Sequence, residues 1–172
     1  MKTTMNRLTL GGLGVVALAS GLLLANSSIF GQQRASAPEP VKRVKQEDLK
    51  WTEKPEDLGF KTAIVEGDPE KPGIYIVQVK FPPWVMSTPH YHPESRYATV
   101  IKGTWWTGDG DVFDPSKTVP LKVGSFMKHP SGAHHFDGAK DEEVIVEIVG
   151  IGPSATTRMH PEKNLFASSK TK

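Results

Sequence analysis

Cysteine is absent from all 172 residues, which excludes disulfides and thiolate ligands. Any metal must therefore be held by nitrogen and oxygen. No acidic residue occurs before Glu39. After about residue 51 no stretch carries the amphipathic period of a helix. Lysine and arginine form no cluster beyond "VKRVK" at 41–45, so nothing marks a nucleic-acid surface. There is no phosphate loop, and "PSGAH" at 130–134 lacks the second glycine and the strand-turn-helix setting of a nucleophile elbow.

What is present falls into two parts. Lys2 and Arg7 precede an uncharged, mostly apolar run at 8–25. Positive charge, then an apolar run, then small and polar residues is the order a secretory signal needs. "ASA" at 35–37 has the small-x-small form of a cleavage site, although Pro38 would follow the cut, and sites nearer 25–31 also fit. Eighteen apolar-run residues are also enough to span a bilayer as an uncleaved anchor. Residues 1–37 are thus expected to export the protein to the periplasm or beyond, cleaved or anchored. Three of the 21 basic residues lie there, so the remainder carries 18 basic against 19 acidic side chains, net −1. The basic whole-chain pI says nothing about nucleic acid.

Residues 38–51 read as a linker with a short helical turn near 46–50, and 52–160 as one domain followed by a polar tail at 161–172. Sixteen glycines and 14 prolines argue against a helical bundle. Turns recur about every ten residues between short apolar segments at 60–67, 74–83, 97–108, 120–130, 133–138 and 142–152. "DPEKPG" at 68–73 and "GDGD" at 108–111 are reversals between strands. Asp109, Asp111 and Asp114 briefly match calcium-ligand spacing without the required later glutamate, so a hairpin turn explains them better. In the run 74–79 both parities are largely apolar, which predicts a layer buried on both faces or a sandwich. The pattern predicts an all-β domain, a small barrel or double-sheet jelly roll.

Six histidines occur: His90, His92, His129, His134, His135 and His160. On an extended segment His90 and His92 share a face at two-residue spacing, so both rings can converge on one ion. Alternation alone produces that arrangement equally well for two solvated histidines. Alternation sends His134 to the face opposite His135, His129 either lines a barrel mouth or faces solvent, and no spacing argument applies to His160. Tyr97, Trp105, Trp106, Phe126 and Phe136 are expected mainly as core, with Tyr97 and Phe126 the aromatic candidates for substrate contact.

Gly124, Pro130, Gly132 and His135 stand as G-x5-P-x-G-x2-H, and "HYHPESRYATVIKG" at 90–103 is H-x-H followed after ten residues by glycine. Together they resemble the two-motif signature of the cupin superfamily over roughly 60–152. "VGIGP" at 149–153 is similar to small single-domain bacterial cupins whose first motif reads H-x-H-P-E-x-R. The resemblance implies a double-sheet β-barrel and a divalent metal held by His90, His92 and His135. It also makes a homodimer through sheet edges a common arrangement. Three positions depart from the pattern: Arg96 stands at the family's glutamate, Trp84 at a glycine and Ala139 at an asparagine.

Arginine cannot ligate a metal, so Glu94 is the available carboxylate. Either it completes a three-histidine, one-carboxylate site for Fe, Mn, Zn, Ni or Cu, or it pairs with Arg96 and leaves three histidines plus water. Arg96, if inward, favours an anionic substrate. The expected function is a metal-dependent oxygenase, isomerase or lyase with Glu94 and Arg96 as catalytic candidates and Arg96, Tyr97 and Phe126 toward the substrate. The alternative is a non-catalytic cupin that binds or senses a small ligand or metal. The expected partner is a small molecule, with no nucleic acid and no membrane contact beyond the N-terminal segment.

Overall fold

Runs of β-branched and aromatic residues broken by glycine and proline fold into short strands rather than helices. The structure, a computed structural model, describes residues 38–170. The segment expected as signal or anchor lies outside them. The strands are β1 (Thr52–Glu53), β2 (Lys61–Glu66), β3 (Gly73–Phe81), β4 (Val85–Ser87), β5 (His90–Tyr91), β6 (Arg96–Lys102) and β7 (Trp105–Asp109). They continue with β8 (Val119–Leu121), β9 (Phe126–His129), β10 (His135–Gly138), β11 (Val144–Gly152), β12 (Thr157–Arg158) and β13 (Phe166–Ser168). Among the described residues there is no α-helix, only single 3-10 turns at Gln46–Asp48, Pro55–Asp57 and Pro115–Lys117.

Every pairing is antiparallel. One sheet has the order β1-β2-β3-β11-β6-β9, and the second runs β12-β5-β10-β4-β13 with β7 on β10 and β8 on β7. This is the expected double-sheet architecture. Its backbone is the nine-residue pairing of β3 with β11, Gly73 opposite Gly152 through Phe81 opposite Val144. Inward positions alternate along it: Tyr75, Val77, Val79 and Phe81 from β3 meet Val144, Val146 and Ile148 from β11, with Ala98 and Val100 from β6. Burying each of the larger apolar side chains stabilises the fold by roughly 1.5–3 kcal/mol.

The other face of β3 is only partly covered. Ile74 is 66% exposed, whereas Gln78 is buried, bonded to Gln46 Nε2 at 2.9 Å and to Glu147 at 3.1 Å. Part of the segment expected as a linker lies against this sheet, with Leu49 buried. A side-chain hydrogen-bond row replaces the expected second apolar layer.

Two motif positions explain themselves through the backbone. Gly103 has φ 75°, and a Cβ there would stand 2.4 Å from the Glu143 carbonyl oxygen, so only glycine fits. Trp84, where the resemblance expects glycine, still adopts φ 67°. Its N–H donates to the Lys140 carbonyl at 2.5 Å and its carbonyl accepts from Ser169 N–H at 2.9 Å. The left-handed conformation is retained without the residue that makes it easy.

The C-terminal segment expected as a polar tail is corrected by β13, which pairs with β4 through Phe166 opposite Ser87. Phe166 is buried and stacks on Phe60 at 4.2 Å between ring centroids. Leu165 beside it also packs against the core. Phe166→Ala is expected to lower unfolding stability by about 3–5 kcal/mol, as loss of a core phenylalanine does, measured by urea denaturation. An unchanged midpoint would restore the tail reading.

Candidate metal centre

The two sheets enclose a cavity of about 240 Å³. Apolar side chains from β3 and β11 line one part, and His90, His92, Arg96, His129, His135 and Asp137 line another. The register builds this polar part. On β10, His135 pairs with His90 of β5 on one edge and with Asp109 of β7 on the other, so the two sequence motifs meet as neighbouring strands. His92 lies just past β5, where its carbonyl accepts from Gly132 N–H at 2.8 Å, tying the first motif to the turn of the second.

Each of the three motif histidines bonds a backbone carbonyl through Nδ1. His90 reaches Thr88 at 2.8 Å, His92 reaches Ala155 at 2.8 Å and His135 reaches Ala133 at 2.9 Å. A carbonyl can only accept, so each Nδ1 carries a proton, and in the neutral ring Nε2 keeps the lone pair. The rings converge: centroids are 4.3 Å apart for His90 and His135, 4.9 Å for His90 and His92, and 5.3 Å for His92 and His135. Their ligand atoms lie within 4.8 Å of one another. The Nε2 of His135 is buried with no hydrogen-bond partner. Three fixed imidazoles whose Nε2 atoms face one volume are a donor set that fits a divalent metal.

Arg96 points inward. Its Nη1 donates to His92 Nε2 at 3.2 Å, its Nε to Glu94 Oε1 at 3.1 Å and its Nη2 to Ser154 Oγ at 2.5 Å. The side chains of Arg96 and Glu94 are only 15% and 14% exposed, so this is a buried ion pair rather than a solvated one. Glu94 also accepts from the Tyr75 hydroxyl at 3.3 Å. It falls outside both groups of mutually close ligating atoms among the described residues. Burial pushes the Glu94 carboxyl upward, but hydrogen bonds from Ser154 and Arg96 outweigh this and hold it below the usual glutamate value.

Tyr97 and Phe126, expected beside the substrate, are corrected: they are 45% and 61% exposed and stack on each other at 6.4 Å away from the cavity lining. Pairing of Tyr97 with Lys128 and Thr99 with Phe126 turns the opposite parity inward, bringing Arg96 and His129 to the interior. His134 faces outward, bonded to Asp111 at 2.5 Å and stacked on Tyr91 at 5.3 Å. His160 is half exposed and contacts the Asp111 carbonyl at 3.3 Å.

Sequence reasoning left His129 undecided and passed over Asp137. His129 is buried and stacks on His135 at 3.9 Å. Asp137 Oδ2 lies 3.8 Å from the Nε2 of both. The signal for Asp137 was its two-residue spacing from His135, which puts both on one face of β10.

Among solved structures, the chain is similar to the polyketide cyclase RemF from Streptomyces resistomycificus: TM-score 0.60, 15% identity, 73% of this chain and 89% of that one. It is also similar to an RmlC-like cupin protein from Ralstonia eutropha JMP134, with TM-score 0.56, 15% identity and coverage of 76% and 80%. For the DMSP lyase DddQ from Ruegeria pomeroyi DSS-3 the values are 0.54, 16%, 68% and 64%. No family model and no curated protein matches the chain. At these identities the likeness establishes architecture alone: a double-sheet all-β barrel. The chain has the cupin fold.

Burial, the first cause in each case, lowers His90 to about 4, His92 to about 3 and His129 to about 2, with the Arg96 charge the next contributor at His92. Unfolded imidazoles protonate near 6.5, so below that pH the unfolded chain binds more protons than the folded one. The stability these neutral histidines confer is full above about pH 6.5 and is lost as pH falls toward their folded values. The chelator-treated domain is therefore expected to unfold at lower urea concentration at pH 5 than at pH 7.5. Equal midpoints would contradict neutral, desolvated histidines.

Proposed function

We propose that the protein is an exported metal-binding cupin that acts on a small anionic or oxygen-chelating substrate as an oxygenase, isomerase or lyase. The observation that carries this reading is the set of three Nδ1–H···O=C bonds that leaves the Nε2 lone pairs of His90, His92 and His135 directed into one cavity. These three side chains hold the metal, one of Fe, Mn, Zn, Ni or Cu. Once bound, it supplies Lewis acidity or a site for oxygen activation.

The chain's own residues do the rest. Arg96 presents planar cationic donors inside the cavity and holds an anionic group of the substrate. Glu94 and Ser154 fix the guanidinium, and Glu94, the carboxylate paired with it, is the group we assign to taking or returning a proton. Val77, Val79, Ile148 and Phe166 line the same cavity and exclude water from the charged end. Residues 1–37 direct the domain out of the cytoplasm, which fractionation of cells producing the full chain tests directly. Recovery of the whole chain in the cytoplasm would sink that part of the reading.

The purified protein is expected to carry about one equivalent of a divalent ion. His92→Ala should weaken the affinity at least tenfold, the scale on which even outer supports of metal sites matter, read by metal analysis and chelator competition. Equal, sub-stoichiometric metal in both proteins would refute the site. Replacing Arg96 and Glu94 together by Met and Gln, so that no lone charge is buried, should leave metal content intact. It should abolish the effect of a small dicarboxylate such as oxalate on the absorption spectrum of the cobalt-loaded protein.

A further inference from the structure

With three neutral imidazoles and a neutralised Arg96–Glu94 pair, the metal reading above leaves a divalent cation in a buried cavity without an anionic ligand, an expensive arrangement. The first motif cannot supply one, because arginine stands where the resemblance expects glutamate and Glu94 is committed to Arg96. The second motif can. Asp137 is buried, lines the same cavity and is two residues from His135 on β10.

Its two oxygens are held differently. Ser87 Oγ lies 3.4 Å from Oδ1, donates to the Asp137 carbonyl at 3.1 Å and accepts from its N–H at 3.0 Å, so the β4 hydroxyl fixes the residue. Oδ2 has no such partner and stands 3.8 Å from His129 Nε2 and 3.8 Å from His135 Nε2. These spans are too long for hydrogen bonds. They stay within the roughly 4.2 Å that is the most that can separate two ligand atoms each about 2.1 Å from one ion.

His129 is the second anomaly. Neither of its ring nitrogens has a partner, although both are buried. A buried imidazole left unpaired on both sides costs free energy that an apolar residue of similar size would not. It stacks on His135, with 3.9 Å between centroids and 19° between the rings, so the His129 ring has to turn before both lone pairs can meet one ion; its centroid is 6.3 Å from that of His92. His129, His135 and Asp137 offer ligand atoms within 4.8 Å of one another, a second group that meets the motif triad at His135 alone.

We infer that Asp137 and His129 are further metal ligands of this protein, Asp137 supplying from the second motif the carboxylate that the first motif lacks. The inference rests on the metal-binding reading, and β9 and β10 supply both groups. Arg96 and the carboxylate then divide the work, one meeting the substrate's negative charge and the other the metal's positive charge.

Cobalt(II) binding to the purified domain tests this, with His92→Ala, His129→Leu and Asp137→Asn compared by chelator competition and visible absorption. His129→Leu and Asp137→Asn are expected to weaken cobalt binding at least about tenfold and to change the position and intensity of the d–d bands. Metal-free His129→Leu should be at least as stable as wild type, because it removes an unpaired polar ring. If His92→Ala loses the metal while both other variants keep wild-type affinity and spectrum, the added ligands are refuted and the triad site stands. Weaker binding with unchanged bands also overturns the inference, since it marks supports rather than ligands. If wild type takes up no cobalt, the metal reading itself fails and this inference with it.

Discussion

Three backbone carbonyls, of Thr88, Ala133 and Ala155, determine what the interior of this barrel can do. Each accepts the Nδ1 proton of a buried histidine, and that bond sets both the tautomer and the ring direction. Without it an imidazole in an apolar cavity would rotate to satisfy whichever nitrogen found a partner. The carbonyls are themselves placed by the fold: Thr88 and Ala133 stand two residues before His90 and His135, and Ala155 follows the long strand β11. Pairing of His90 with His135 then brings the lone pairs together. The candidate site is thus a consequence of strand register more than of the histidines alone.

The charges around it obey the same economy. A guanidinium and a carboxylate would be costly to bury singly, and here they enter as a pair, with Tyr75 and Ser154 satisfying further atoms. Arg96 also bonds His92 through the lone pair that a metal would use. Loading the site therefore requires the guanidinium to give up one of three bonds, while Glu94 and Ser154 still hold it close. The cation that replaces it meets a set of donors in which Asp137 is the residue able to balance charge.

Much of the architecture was legible in the chain. The strands at 61–66, 73–81, 96–102 and 144–152 follow β-branched and aromatic runs between turn residues, and a reversal at 68–73 separates β2 from β3. The 3-10 turn at Gln46–Asp48 falls within the helical turn expected near 46–50. The two- and three-residue strands β1, β4, β5, β12 and β13 were not legible, because so short a pairing leaves no periodicity and is imposed by its neighbours. Phe166 belongs to this group: its three-residue strand shows no period, and pairing with β4 and contact with Phe60 and Phe81 hold it.

Face assignment failed where hydrophobicity and register disagree. Phe126 looks like the buried residue of β9, yet it stacks on Tyr97 outside while Met127 and His129 turn inward. Reversing the parity of one four-residue strand hides a histidine and exposes a phenylalanine. For Glu94, Pro93 removes the strand geometry that would have carried it onto the His92 face, and the fixed charge of Arg96 claims it. Whether the three histidines hold one ion is read by anomalous diffraction at the metal edge from crystals of the metal-loaded protein. A single peak is expected in the cavity about 2.0–2.2 Å from the Nε2 atoms of His90, His92 and His135. A peak bonded to Nδ1 atoms or lying outside the cavity would contradict it, as would an empty cavity with Arg96 still on His92.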